Sequence, residues 1–162
     1  GMNFKQWRDN CIRLIEEGSL DGLHVMCTIN ALSLDSLPAL INMMVAWKRR
    51  YGKDYPNFTL NILRFPSFQS PVVLPQYIKN TAINKLKFQV DIYKDDLHFM
   101  EINQMLRLIQ YLETVESPHA GADSINKLRS DFKKFYMQYD QRRGKNFANT
   151  FSEQMVEWYN EL

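Results

Sequence analysis

Two strands joined by a helix, all within residues 22–66, constrain the fold of this chain more than any other segment. Residues 22–30 and 58–65 are short runs rich in apolar and β-branched side chains, which is typical of strands. Residues 33–51 have apolar side chains at helical spacing, with Ser33 as the expected N-cap. Strand, helix and strand in this order predict a parallel βαβ unit with a right-handed crossover. The predicted fold class is therefore α/β.

Helices and connectors are predicted on both sides of this unit. Residues 3–18 form the first helix, capped by Asn3 and ended by Gly18, and a turn at residues 19–22 leads into the first strand. Two prolines exclude a helix from residues 66–71. Further helices are predicted from Pro75 to within residues 91–96, over residues 97–116, from Asp123 or Ser124 to near Gly144, and after a capping box at Thr150 and Glu153, with a break at residues 117–121.

The two faces of the predicted strands differ. One face is apolar, and its residues are Leu23, Val25, Cys27, Ile29, Phe58, Leu60 and Ile62. The other face is mixed, and its residues are His24, Met26, Thr28, Asn30, Thr59, Asn61, Leu63 and Phe65. Parallel strands with helices on both sides are normally apolar on both faces. A barrel explains the difference, because helices cover its outer face and the polar inner face lines the lumen.

In such a barrel the binding site lies at the C-terminal ends of the strands. The predicted ligand-binding residues are the polar side chains near those ends, beside Phe65: Thr28, Asn30, Asn61, Arg64 and Ser67. A solvated sheet face that binds nothing fits the same pattern equally well. The residue pattern alone leaves both interpretations open.

Two strands do not form a stable sheet alone, and no convincing third strand is present in the sequence. Unpaired strand edges need a partner. Helices could cover the strands entirely, other copies of the chain could pair with them, or the chain could be part of a larger barrel. We expect one domain over residues 1–162, with a partial βα barrel segment at residues 1–95 and a helical C-terminal extension at residues 96–162.

Several short motifs resemble the C-terminal part of twitch-containing radical SAM proteins. These motifs are Cys27-Thr-Ile-Asn30-Ala31-Leu32, Asp35-Ser36-Leu37-Pro38, Leu60-Asn-Ile-Leu-Arg64-Phe65-Pro66 and Leu74-Pro75. The tail from Tyr139-Asp140-Gln141-Arg142-Arg143-Gly144 to Phe147, followed by Thr150-Phe151-Ser152-Glu153, is similar to the ending of that family. The family usually has proline at the position of Ser152. The resemblance covers nearly the whole chain.

The resemblance implies a partial (β/α)₆ barrel, in which a [4Fe-4S] cluster on a CxxxCxxC loop cleaves S-adenosylmethionine to a radical. The present chain would supply strands five and six and the C-terminal extension, and Thr28, Asn30 and Arg64 match positions that help to hold the adenosyl group. Because the chain has no CxxxCxxC motif, we expect it to bind no cluster and to be inactive alone. A truncated gene, an incomplete sequence or a derived binding protein would each account for this half.

Other site chemistry is not indicated by the sequence. Cys11 and Cys27 have no neighbouring cysteine or histidine, which argues against a disulfide framework, a structural zinc or a cysteine-ligated cluster within the chain. His24, His98 and His119 are scattered and predict no metal site. We find no catalytic constellation and no phosphate-binding loop. Two alternative functions remain. The chain could be a small-ligand-binding domain, or it could be an oligomerisation module that forms a homo-oligomer through strand edges or helices.

Charge and hydropathy argue against other partners. The net charge of +2 is small, and Arg142, Arg143 and Lys145 lie at a helix end without a basic stripe interleaved with aromatic residues, so no nucleic-acid partner is expected. The aromatic residues of the same helix, Phe132, Phe135, Tyr136 and Tyr139, are expected in a core or an interface. No segment predicts a membrane span or a signal peptide, and Gly1 before Met2 resembles a tag-removal scar, so we expect a cytoplasmic protein.

Overall fold

The structure is a computed structural model and describes residues 3–18, 22–54, 56–114 and 125–162. This part of the chain is a mixed α/β fold that is mostly helical, with a small sheet of two parallel strands. The elements in chain order are α1 (Phe4–Glu16), β1 (His24–Ile29), α2 (Leu37–Tyr51), β2 (Asn57–Ile62), α3 (Gln76–Ile92), α4 (Phe99–Thr114), α5 (Ile125–Arg143) and α6 (Glu153–Glu161). The predicted α/β class is confirmed at this level.

The predicted βαβ unit is present as β1, α2 and β2. The two strands pair in parallel, with His24 opposite Asn57 and Thr28 opposite Asn61. Hydrogen bonds continue past the strand end, because the Leu63 N–H donates to the Ile29 carbonyl oxygen at 2.9 Å. Both predicted strands and their parallel pairing are confirmed, although β2 ends at Ile62 and not at residue 65.

The two faces of this sheet differ as the sequence predicts. Residues of the apolar row are buried and join the hydrophobic core: Cys27, Ile29, Phe58 and Leu60. His24, Met26, Thr28 and Asn61 on the other face are exposed. Met26, an apolar residue of β1 on this face, is 73% accessible to solvent. The sheet therefore has a covered face and an open face.

Side chains of α4 hydrogen-bond the outer edge of β2. Glu101 Oε1 accepts from the Phe58 N–H at 3.1 Å, and Gln104 Oε1 accepts from the Leu60 N–H. The Arg107 guanidinium donates to the Leu60 carbonyl oxygen at 2.7 Å. Spacings of three residues bring all three side chains to one face of α4. Together they satisfy backbone groups that a third strand would otherwise pair, so this edge of the sheet is closed.

A buried ion pair connects this edge to α2. Lys48 and Glu101 side chains are 1% and 3% exposed, and their Nζ and Oε2 atoms lie 3.2 Å apart. Lys48 also donates to the Lys53 carbonyl at 2.7 Å and to Asn57 Oδ1 at 2.9 Å, while Glu101 Oε2 accepts from the His98 N–H at 2.9 Å. Burial lowers the pKa of Lys48, and the charge of Glu101 opposes that shift. The pair is therefore well supplied with partners, which a buried charge requires.

The C-terminal helices pack through aromatic side chains. Phe132 of α5 is fully buried and lies 5.1 Å from Trp158 of α6 between ring centroids. Phe147, in a 3₁₀ turn at Phe147–Asn149, stacks on Tyr159 with centroids 3.9 Å apart. Asp140 Oδ2 accepts from the Phe147 N–H at 2.7 Å, which fixes the connection after Gly144. These tail residues thus shape the joint between α5 and α6.

The predicted cap at Asn3 and the predicted helix ends at Gly18 and near Gly144 are confirmed, whereas three predicted helix starts are wrong. Asn3 caps α1, because its Oδ1 accepts from the Gln6 N–H at 3.2 Å. Ser33 is not the N-cap of α2, which begins after Ser36. Thr150 is likewise not the N-cap of α6; that position is Ser152, and the expected capping-box hydrogen bond is absent there. Pro75 is the N-cap of α3 and so precedes its first residue.

Residues 66–71 contain no α-helix, as predicted, but they are not an open loop throughout. Short 3₁₀ turns form at Ser67–Gln69 and Pro71–Val73. Proline suits the first position of such a turn because its φ is already near the helical value. Three predictions lie outside the described residues: the break at residues 117–121, the N-cap at Asp123 or Ser124, and most of the turn at residues 19–22.

Removing the charge of Lys48 should strongly destabilise the fold. In Lys48→Met, the Glu101 carboxylate would remain buried without its cation, and the free energy of unfolding should fall by about 3–5 kcal/mol in a urea titration. Lys87→Met is the matched control, because it breaks the exposed Lys87–Glu113 pair and should cost less than about 1 kcal/mol. Equal losses in the two variants would contradict this role of the buried pair.

Candidate functional site

The loops that follow β1 and β2 are joined at the C-terminal ends of the strands. The Ala31 N–H donates to the Gln69 carbonyl oxygen at 2.8 Å, beyond the Leu63 to Ile29 bond that ends the ladder. The residues that follow the two strands therefore lie close together at the C-terminal end of the sheet. This is the place where the sequence predicts a ligand.

The structure brings Thr28 and Asn61 together. They are direct partners in the strand register, and both side chains are exposed on the open face of the sheet. Arg64 follows two residues after β2 and is also exposed, and the ring of the next residue, Phe65, is 84% accessible. Hydroxyl, amide and guanidinium groups thus lie at the strand ends with an apolar ring beside them. These are groups that can donate hydrogen bonds to a polar ligand.

Asn30 orders the turn that follows β1. Its Oδ1 accepts from the Ser33 N–H at 2.8 Å, and Ser33 Oγ accepts from the Asn30 N–H at 2.9 Å. Ser33 Oγ also lies 3.3 Å from the Thr28 carbonyl oxygen. This reciprocal pair orders the turn between β1 and α2, which is a usual function of asparagine and serine side chains. It also explains why Ser33 does not cap α2.

Ser67 lies on the other wall of the predicted site. It is half-buried in the 3₁₀ turn at Ser67–Gln69, and its carbonyl oxygen accepts from the Ser70 N–H at 3.1 Å. The same turn packs against α5, where the Phe68 and Phe135 ring centroids are 5.3 Å apart. The strand-end site is therefore bordered by α5, which the sequence did not indicate.

A groove runs along the outer edge of β1. Its volume is about 340 Å³, and it is lined by α1, β1 and the start of α2 through Phe4, Trp7, Val25, Met26, Cys27, Thr28, Ile29, Ser33, Ser36, Leu37 and Leu40. The carbonyl oxygens of Leu23 and Ile29 accept hydrogen bonds from β2 and the residue after it, so the backbone groups of the odd-numbered residues of β1 are directed towards β2. Alternate residues His24, Met26 and Thr28 must therefore direct their N–H and C=O groups towards the groove.

This edge of the sheet is open. Within the described ranges the sheet has two strands. Among these residues, one side chain hydrogen-bonds a backbone group on the outer edge of β1: the Ser33 hydroxyl donates to the Thr28 carbonyl oxygen. Backbone groups of an edge strand beside an apolar groove form a template for a further strand. The sequence indicated the missing strand, but it did not show which edge lacked it.

The cysteines do not fit a cluster or a metal site. Cys11 and Cys27 are both buried, and neither forms a disulfide. Burial raises the pKa of the Cys27 thiol to about 11 and also raises the pKa of Cys11, whereas a metal ligand must be a thiolate. In the part of the chain that the structure describes, no three His, Cys, Asp or Glu residues are placed to hold a metal ion.

Comparison with protein-family models, with curated proteins and with solved structures gives no match to this chain. Its functional assignment therefore depends on the residues and geometry described above. Among the described residues, no helix has the length and apolar character needed to cross a membrane.

The thiol of Cys27 should react slowly in the folded protein. With the pKa raised from 9.0 to about 11, the thiolate fraction at pH 8 is about 100-fold lower than in the unfolded chain. Iodoacetamide labelling in a Cys11→Ser background, followed by mass spectrometry, should show at least this ratio between folded and urea-unfolded protein. The labelling rate should keep rising with pH until about 11. A plateau below pH 9 would show that the thiol is not buried in this way.

Proposed function

We propose that this chain is the C-terminal half of a radical SAM-type barrel, and that its strand ends form part of an S-adenosylmethionine site. In this proposal β1 and β2 are the last two strands of a partial barrel, α1, α2 and α3 lie outside it, and α4 to α6 form the C-terminal extension. A cluster-bearing half would supply the remaining strands and the [4Fe-4S] cluster. The chain alone would bind ligand weakly and catalyse nothing.

The unequal edges of the sheet carry this proposal. Glu101, Gln104 and Arg107 occupy the outer edge of β2, so the sheet can grow no further there. The outer edge of β1 is open and lies beside an apolar groove under α1. A last barrel strand needs a closed edge, and the strand before it needs a neighbour on its other side. Both conditions agree with β1 as strand five and β2 as strand six of the barrel that the resemblance implies.

The open face of the sheet supports the same proposal. In a barrel this face lines the lumen, where polar side chains meet the substrate and the cofactor. His24 and Thr59 lie across the strands from each other, with Nε2 and Oγ1 3.2 Å apart, and Thr28 and Asn61 lie nearer the site. A face with this composition is unsuited to cover by a further layer of helices.

Three side chains are available to hold S-adenosylmethionine at the strand ends. The Thr28 hydroxyl and the Asn61 amide can hydrogen-bond the ribose and the base, and the Arg64 guanidinium can pair with the carboxylate. Asn30 would act by ordering the turn through Ser33. S-Adenosylmethionine supplies the radical precursor when bound, but the cluster that cleaves it has no suitable ligands in Cys11 or Cys27. That half of the chemistry would belong to the partner.

Self-association is the second candidate function. The open edge of β1 favours it, and so do the exposed apolar side chains of α3 and α4, which are Phe88, Ile92, Phe99, Met100 and Leu106. Exposed apolar surface of this kind often marks an interface. These surfaces support the homo-oligomer predicted from the sequence, and pairing of β1 with another copy would compete with completion of the barrel.

Ligand binding at the strand ends can be tested by titrating the labelled protein with S-adenosylmethionine in nitrogen–proton correlation spectra. The signals of Thr28, Asn61 and Arg64 should shift saturably at millimolar ligand. Arg64→Ala should weaken binding by about tenfold or more, because a charge-assisted hydrogen bond is lost. Arg50→Ala is the matched control, since Arg50 is an exposed arginine at the other end of the strands and pairs with Glu16.

Three results would count against this site. These are the absence of shifts at millimolar ligand, shifts confined to residues far from the strand ends, and equal weakening by the Arg50 and Arg64 substitutions. Adenosine and methionine, titrated separately, would show which part of the ligand each residue contacts.

A further inference from the structure

The C-terminal half of α5 carries a surface that neither the fold nor the strand-end site explains. Of the four aromatic residues expected in a core or an interface, Phe132 and Tyr136 face inwards, whereas Phe135 and Tyr139 are 40% and 43% exposed. Phe135 and Tyr139 are one helical turn apart, so their rings lie on the same side of α5. The sequence did not predict which of the four rings are buried and which are exposed.

Both exposed rings are held in place by other rings. Phe135 meets Tyr136 edge-on, with centroids 5.1 Å apart, and it also contacts Phe68 at 5.3 Å. Tyr139 meets the same Tyr136 edge-on at 6.4 Å. Edge-to-face contacts leave part of each ring free while restricting its rotation. Phe135 and Tyr139 are therefore ordered, flat and accessible to solvent.

Positive charge is concentrated on the same helix. α5 contains six basic and two acidic residues, a net charge of +4, whereas the whole chain has a net charge of +2. Lys134, Arg142 and Arg143 are exposed, and none of them forms an ion pair with another described residue. Asp140, the acid nearest to Arg142 and Arg143 on the helix, accepts from the Phe147 N–H, and the other acid of the helix, Asp131, lies one turn before Lys134.

On the surface of α5, basic side chains lie next to the exposed aromatic rings. Arg142 lies three residues after Tyr139 and seven after Phe135, so all three share one stripe of the helix. Lys134 and Gln138 form the neighbouring stripe, one turn apart. Basic and aromatic residues are therefore interleaved on the helix surface, although they are not interleaved in sequence order.

We propose that this face of α5 binds single-stranded nucleic acid. Bases stack on Phe135 and Tyr139, and Lys134, Arg142 and Arg143 contact the phosphates. Ordered exposed rings beside unpaired cations are the two components of single-strand binding surfaces. An acidic peptide would use the cations alone and would leave the rings without a role, which favours nucleic acid as the partner. The proposal does not depend on the S-adenosylmethionine site.

The test is fluorescence anisotropy with labelled oligothymidylate and oligouridylate at low ionic strength, with a polyglutamate peptide as competitor. The dissociation constant should lie between about 1 and 100 µM. Phe135→Leu and Tyr139→Leu keep apolar side chains but remove the flat rings, and each should weaken binding about five- to hundredfold. Arg142→Gln should reduce the slope of log affinity against log salt by about 0.7. The two oligonucleotides show whether the ribose 2′-hydroxyl contributes.

Phe88→Leu and Lys94→Gln are the matched controls, because they change an exposed ring and an exposed cation outside this surface. They should leave the affinity within about twofold of the parent chain. Circular dichroism melting of every variant separates loss of binding from loss of folding. The proposal is overturned if neither oligonucleotide binds at about 100 µM protein, or if the control variants weaken binding as much as the α5 variants. It is also overturned if polyglutamate binds as tightly as the oligonucleotides and is insensitive to loss of the rings, which would identify an acidic polypeptide partner.

Discussion

Glu101 hydrogen-bonds the backbone of β2, pairs with Lys48 of α2 and caps the start of its own helix through the His98 N–H. A two-stranded sheet is marginal in water, because half of its backbone groups lack a partner. In this protein, α4 supplies side-chain partners to one of the two outer edges. The helix replaces a strand there, and the buried ion pair holds it in position against α2. Loss of this contact would expose the edge of β2 and separate α4 from the βαβ unit.

A closed edge on β2 makes the edge of β1 the place where the sheet can extend. The groove beside β1 lies between the strand and α1, and it continues to the turn in which Asn30 and Ser33 bond each other. A strand added there would lie beside Thr28 and would bring its own C-terminal end to the site. The open edge of β1 and the strand-end site are therefore adjacent parts of the same surface. A partner that completes the sheet would also complete the binding site.

Much of this fold could be predicted from local patterns. The period of two predicted both strands and the exposed positions of Thr28 and Asn61, and the order of strand, helix and strand predicted the parallel pairing. The hydrogen bonds of Glu101 and Gln104 to β2 could not be predicted in this way, because their partners are more than forty residues distant in sequence. In the sequence, these residues are marked only by polar side chains at a spacing of three on the side of α4 that packs inwards. Many solvated helices share this pattern.

Competing local interactions explain the remaining differences. Ser33 satisfies the rule for an N-cap, but its hydroxyl and N–H are used by Asn30, so α2 begins later. The aromatic residues of α5 are spaced three and four apart, which allows one broad face or two. Burial of Phe132 and Tyr136 beside exposed Phe135 and Tyr139 depends on where α6 and the turn at Ser67–Gln69 pack, and the sequence of α5 does not contain that information.

Backbone hydrogen exchange tests the central claim, that the sheet has one closed edge and one open edge, most directly. At a concentration where the chain is monomeric, the amides of Phe58 and Leu60 should exchange at least about a hundredfold more slowly than those of Met26 and Thr28. This result is predicted because side chains of α4 accept from the first two amides, while the other two are directed into the groove. Equal protection of all four amides, or faster exchange at Phe58 and Leu60, would contradict the account.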